Sequence, residues 1–257
     1  MDKEIKSALE EFVATADNLL GHKIVAAYCF GSAVYEDFHL GYSDLDFFIV
    51  ADTLLTEGNF QDFHELREEY KRSGNPYLAV LEGEIVPYSA ITSREGNVIY
   101  WGTSKDRFNE GYGLRGFSMR GLLDAGYLIS GRDIRGEIPY PPGAEMLEQV
   151  TALIQTIRKY AVKTDEDIHS ADWFFLITQS IYWLKTGKTT GKTQSAQWVL
   201  ANYHYPWDGL LEKAIKLRQC PALAREQFWQ LWLEQLGEGI QQACASLEAE
   251  LNFFMLQ

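Results

Sequence analysis

The 257-residue chain is 46% hydrophobic and 14% aromatic, enough apolar material for a substantial core, which excludes a disordered protein. Its formal net charge of −13 argues against nucleic acid as a partner, since phosphate backbones are bound by clustered Lys and Arg, and leaves an acidic surface suited to solubility or to a cationic small molecule. Three widely spaced cysteines, Cys29, Cys220 and Cys244, and the lack of any apolar run of membrane-spanning length lead us to expect a reduced, cytoplasmic protein with no membrane partner.

Residues 1–6 are charged and lack the apolar run of a signal peptide. Ile5, Leu9, Phe12, Ala16, Leu19 and Leu20 recur at helical spacing, predicting an amphipathic helix over 3–20. Residues 23–30 read as a buried strand ended by Gly31. The Gly31-Ser32 turn that leaves it can present backbone N–H groups to a phosphate. A second strand is expected over 45–51. Asp44 and Asp46 at its start share a face, because side chains alternate along a strand. Two such carboxylates, with phosphate oxygens, make a ligand set for Mg²⁺. Asp46 precedes the apolar run Phe47-Phe48-Ile49-Val50, and a carboxylate at the mouth of a buried strand is costly unless paired or metal-bound. The plainer alternative is an Asp-rich turn with Asp44 capping and Asp46 exposed.

Residues 60–72 read as a charged helix and 77–91 as a third strand, with Pro87 implying an edge or a bulge. Glu82 and Glu84 form a second same-face pair there, and at least one is expected to face solvent. Either could join Asp44 and Asp46 as a general base or a further metal contact, and Glu82, after the run Leu78-Ala79-Val80-Leu81, is the choice. Glycines and prolines crowd residues 131–143, so a linker is expected near 137–143, between domains over 1–136 and 144–257. Beyond it the pattern is helical, over 146–161 and over 172–185 with Gly187 as C-cap. The segment 225–256 places Phe228, Leu231, Trp232, Leu236, Ile240, Cys244, Leu247 and Leu251 on one face. The fold class expected is α+β, followed by an all-α helical bundle.

Gly31-Ser32, Ser43-Asp44-Leu45-Asp46 and Glu82 on a later strand resemble the signature of the polymerase-β-type nucleotidyltransferase superfamily. Within it the chain is most similar to the streptomycin/spectinomycin aminoglycoside adenylyltransferases, which pair a mixed-sheet nucleotidyltransferase domain with a C-terminal helical one. Leu81-Glu82-Gly83-Glu84-Ile85-Val86 is similar to their catalytic strand, and Ile181-Tyr182-Trp183-Leu184-Lys185-Thr186-Gly187-Lys188 and Ala196-Gln197-Trp198 resemble their helical half.

The resemblance implies a Mg²⁺-dependent enzyme that uses ATP as co-substrate and transfers AMP to a hydroxyl of a small cationic acceptor such as an aminoglycoside antibiotic. Gly31 and Ser32 would hold phosphates, Asp44 and Asp46 the metal, and Glu82 would be the base; Lys192, helped by Lys188, would neutralise triphosphate charge. Asp165, Glu166, Asp167 and Asp172 are candidates to receive the cationic acceptor, or form a plain acidic cluster at a helix N-terminus. Residues 35–42 are more aromatic and acidic than expected for the drug-modifying enzymes, and 163–170 have no one-to-one match, which leaves the acceptor open. A protein or RNA acceptor is the rival reading, disfavoured by the size of the helical half. A non-catalytic nucleotide-binding regulator would not need Asp44, Asp46 and Glu82 together. Thr186-Gly187-Lys188-Thr189-Thr190 is not a P-loop, because it lacks the first glycine and follows a helix.

Overall fold

The computed structural model describes residues 1–102 and 105–256. The chain divides into two compact units, Met1–Pro141 and Pro142–Gln257. The first is α+β, the second helical. Among the described residues no helix is long and apolar enough to cross a membrane.

In the first unit, helix α1 (Lys3–Leu19) starts at Asp2, whose side chain caps the Glu4 N–H at 2.8 Å, and it buries Ile5, Leu9, Phe12 and Ala16. Strands β1 (Ile24–Cys29) and β2 (Leu45–Ala51) pair antiparallel. Helix α2 (Glu57–Arg72), opened by a Thr56–Asn59 capping box, carries the chain to β3 (Leu81–Pro87). A crossover of this kind is what a parallel pair requires, and β3 runs parallel to β2. Helix α3 (Ala90–Ser93), β4 (Asn97–Trp101), β5 (Arg107–Glu110), α4 (Gly116–Ala125) and β6 (Tyr127–Gly131) complete a six-stranded sheet of order β5-β4-β3-β2-β1-β6.

Side-chain alternation gives this sheet two different faces. Leu45, Phe47 and Ile49 of β2 join Leu81 and Ile85 of β3 under Phe12 of α1 and Phe63 and Tyr70 of α2. Phe48 and Val50 meet Val86, α3 and the Met119 and Leu122 side chains of α4 on the opposite face. The carboxylates of β2 and β3 stand on this second face.

The third strand is shorter than its sequence pattern suggests. Residues 78–80 form a single 3-10 turn, and β3 is an interior strand, not an edge. Pro87 is accommodated at its last paired position, opposite Ala51.

The second unit holds α5 (Gly143–Tyr160), α6 (Asp172–Thr186), α7 (Lys192–Asn202), α8 (Asp208–Gln219), α9 (Gln227–Glu234) and α10 (Gly237–Met255). Gly187 ends α6 in the left-handed conformation, its N–H bonded to the Trp183 carbonyl. The expected continuous stripe over 225–256 is divided between α9 and α10. Its buried positions run through Trp229, Trp232, Leu233, Leu236, Ile240, Cys244 and Leu247, and Phe228 and Leu231 lie off that line, 59% and 49% exposed.

Candidate functional site

The register between β2 and β3 sets the site. Asp46 lies opposite Glu82, Phe48 opposite Glu84 and Val50 opposite Val86. Further along this face the pairs are apolar and covered by α3 and α4; at the start of the strands they are carboxylates. Asp44, Asp46 and Glu82 are each partly accessible. Gly83, between the two glutamates, lies where a Cβ would come well under 3.0 Å from the Phe47 carbonyl oxygen. Glycine there lets the two strands close up with their acidic residues aligned.

The Gly31-Ser32 turn is built against the same point. Phe30 is extended and its N–H donates to the Asp46 carbonyl at 3.1 Å. Gly31 then takes φ +68° and opens a 3-10 turn, Gly31–Ala33. A Cβ on Gly31 would fall well under 3.0 Å from the Asp46 Oδ2, so the positive φ and the seated carboxylate both favour glycine. The Ser32 hydroxyl donates to the Asp44 carbonyl at 3.4 Å, and Asp37 N–H donates to the Ser32 carbonyl at 2.9 Å. Gly31, Ser32, Asp44, Asp46 and Glu82, scattered in sequence, are thus gathered at one end of the sheet. Burial, followed by the Asp46 charge, pushes up the Cys29 thiol, which stays neutral beneath them.

Glu82 and Glu84 differ in employment although they share a face. Glu84 is buried and accepts the backbone N–H of Gly113 at 2.7 Å and of Leu114 at 3.1 Å. Burial raises its carboxyl above the ordinary range, opposed by those two donors and by Arg107 and Arg115. A Cβ on Gly113 would lie 2.9 Å from Glu84 Oε1, so that glycine admits the carboxylate to the loop. Glu82 is partly buried and accepts the Tyr100 hydroxyl at 2.6 Å through Oε1. Neither glutamate is the freely solvated strand residue that the sequence pattern suggests for at least one of them.

In the second unit, Lys192 opens α7 and pairs with Asp172, the first residue of α6, at 3.3 Å. Asp172 also faces His169 Nδ1 at 3.3 Å. Asp165 accepts the Asp167 N–H and the Ser170 hydroxyl, both at 3.1 Å. Asp167 caps the His169 N–H at 2.9 Å. Glu166 and Lys188 are exposed. Most of this acidic stretch is therefore engaged in turns and ion pairs of its own.

The sequence pattern does not reveal Tyr100 or the Gly113-Leu114 donors. Asn97–Trp101 alternates like a strand, with Val98 and Tyr100 on one face, which is the signal that could place Tyr100 near the glutamates. The Gly113-Leu114 donors belong to a loop with no periodicity to read.

Among the described residues no group of three or more His, Cys, Asp and Glu side chains could hold a metal by itself. The donor chemistry nonetheless fits Mg²⁺, which is commonly held by one or two carboxylates with substrate phosphates as the remaining ligands. Asp46, seated in the space a Gly31 Cβ would fill, and Asp44 are the carboxylates that would meet such an ion.

The chain has an α+β unit with a Gly-Ser turn beside strand carboxylates, followed by a helical unit. This fold is shared with a crystal structure of spectinomycin adenyltransferase AAD(9) from Enterococcus faecialis with ATP and spectinomycin. The likeness has a TM-score of 0.63 at 14% sequence identity and covers 94% of this chain and 97% of that one. No protein-family model and no curated protein sequence matches the chain.

Proposed function

We propose that this protein is a Mg²⁺-dependent nucleotidyltransferase that moves AMP from ATP to a hydroxyl of a small cationic acceptor of the aminoglycoside type. The observation that carries the reading is the pairing of Asp46 with Glu82 across the parallel strands, beside the Gly31 turn on which the Asp46 carboxylate is seated. The solved neighbour's ATP and spectinomycin point to the same two kinds of substrate.

Gly31 and Ser32 present the turn to the phosphates, and Asp44 and Asp46 are the residues that would hold Mg²⁺. When bound, the cation would offset triphosphate charge and steady the leaving pyrophosphate. Glu82 takes the proton of the acceptor hydroxyl. The freed oxygen bonds to the α-phosphorus in line as the bond from that phosphorus to pyrophosphate breaks. In the helical unit, Lys192 and Lys188 are assigned to phosphate charge. Of the acidic residues there, Asp165, Asp167 and Asp172 serve their own turns and ion pairs, and the exposed Glu166 is assigned to the cationic acceptor.

The test is pyrophosphate release with Mg²⁺ and each of the four nucleoside triphosphates across a panel of aminoglycosides that includes spectinomycin. Release that needs both ATP and one drug is the expected result. Glu82→Gln should keep ATP binding and lose roughly 10²- to 10⁴-fold in turnover. Labelling of protein or tRNA would reassign the acceptor, and silence with every acceptor would overturn the enzymatic reading.

A further inference from the structure

One row of side chains crosses the carboxylate face of the sheet. Phe48, Glu84, Tyr100 and Arg107 occupy successive paired positions on β2, β3, β4 and β5. Tyr100 thus stands directly opposite Glu84, yet its hydroxyl donates to Glu82, one pleat further on, at 2.6 Å. Diagonal neighbours in a sheet are within reach of an aromatic side chain. The ring is held from two sides. A Cβ on Gly102 would lie 2.6 Å from the ring's Cε1, so the glycine leaves just the space the ring occupies. The Arg107 guanidinium lies 4.3 Å from the ring centroid.

From this seat we propose that Tyr100 is a positioning residue that fixes the carboxylate plane of Glu82 for proton abstraction, with Gly102 and Arg107 holding the ring in place. The inference rests on the reading of Glu82 as the base. The last torsion of a glutamate is broad, so a carboxylate on a strand turns freely unless a partner defines it. A phenol anchored in the neighbouring strand defines it at little entropic cost, because the ring moves about only two torsions. Burial and the Glu82 carboxylate raise the phenol above its ordinary value while Arg107 pulls it down, and the hydroxyl keeps its proton as a donor throughout the neutral range. Misplacing a reacting group by about 1 Å can cost on the order of 10²-fold in rate.

Tyr100→Phe keeps the ring and removes only the donor. Its kcat should fall roughly 10- to 100-fold while KM for ATP and for the acceptor stays within about threefold. In a Glu82→Gln background the same substitution should change the residual rate by less than about twofold, since there is no carboxylate left to orient. Equal losses in both backgrounds would mark a general structural role and overturn the proposal, as would an unchanged kcat. Should Tyr100→Phe fail to fold, the exposed Arg107→Gln reads the same device, with roughly a three- to tenfold loss in kcat that likewise vanishes in the Glu82→Gln background. A wild-type protein that transfers no nucleotide would overturn the nucleotidyltransferase reading and this inference with it. Normal wild-type transfer with an indifferent Tyr100→Phe would overturn this inference alone.

Discussion

Two acidic regions of this protein use the same side chains in opposite ways. At the start of β2 and β3, Asp46 and Glu82 are placed by strand register and by a glycine that leaves room for a carboxylate. In residues 165–172 the aspartates are spent on their neighbours: Asp165 on Ser170, Asp167 on the His169 N–H, Asp172 on His169 and Lys192. Acidic residues close in sequence tend to satisfy one another's backbone, as Asp does in turns and caps. Asp46 and Glu82 instead come from segments far apart in sequence, and the pairing of β2 with β3 sets them opposite each other.

The sharpest way to break this contrast is to remove one carboxylate from each region. Asp46→Asn should lower nucleotide transfer by about 10³-fold or more, with a thermal midpoint near that of the wild type. Asp165→Asn should change transfer by less than about threefold and shift the melting curve instead, by an amount typical of a lost cap, about 1 kcal/mol. Equal kinetic effects, measured by pyrophosphate release, would erase the distinction.

Gly31→Ala asks whether the seating of Asp46 matters as much as its presence. The added methyl would collide with the Asp46 carboxylate at a positive φ, and we expect a stability loss of about 1–3 kcal/mol in urea unfolding. Transfer should fall with it, by more than the loss of folded protein accounts for. An active Gly31→Ala enzyme would show that the turn's close approach is dispensable.

Glu84 blurs the contrast, being a strand carboxylate with a structural partner. Glu84→Gln turns one acceptor into a donor facing a backbone N–H, which should cost about 1–3 kcal/mol and less than about tenfold in transfer. Its pH dependence has a definite sign. The folded carboxyl holds its proton more tightly than the unfolded one, so folding takes up protons above the ordinary Glu value of about 4.3. Stability therefore falls as pH rises from there through the raised folded value, and the Gln variant loses that slope. Denaturation curves at stepped pH for both proteins measure it.

Much of the fold is legible in the residues. The apolar run after Asp46 gives β2 with its limits, the spacing of Ile5, Leu9, Phe12 and Ala16 gives α1, and Gly187 marks the end of α6. The α+β unit followed by helices emerges from the same patterns. The parity of Asp46, Glu82 and Glu84 is visible too, because alternation within a strand is local. What distinguishes Glu82 from Glu84 is not, since it depends on Tyr100 from β4 and on Gly113 and Leu114 from a loop. Nor does a single helical projection of residues 225–256 show the break after Glu234, or that Trp229 and Leu233 are buried in place of Phe228 and Leu231.

The parallel pairing of β2 with β3 also constrains which insertions and deletions this gene can survive. Asp46 meets Glu82 only while both strands keep their count. One codon lost inside β3 would exchange the face bearing Glu82 and Glu84 for the face bearing Leu81, Gly83 and Ile85, turning carboxylates into the core. The connection ahead of α2, residues 52–56, can change length without that penalty, as surface connections do. Length variation among descendants of this sequence should therefore collect between the strands and spare their interiors.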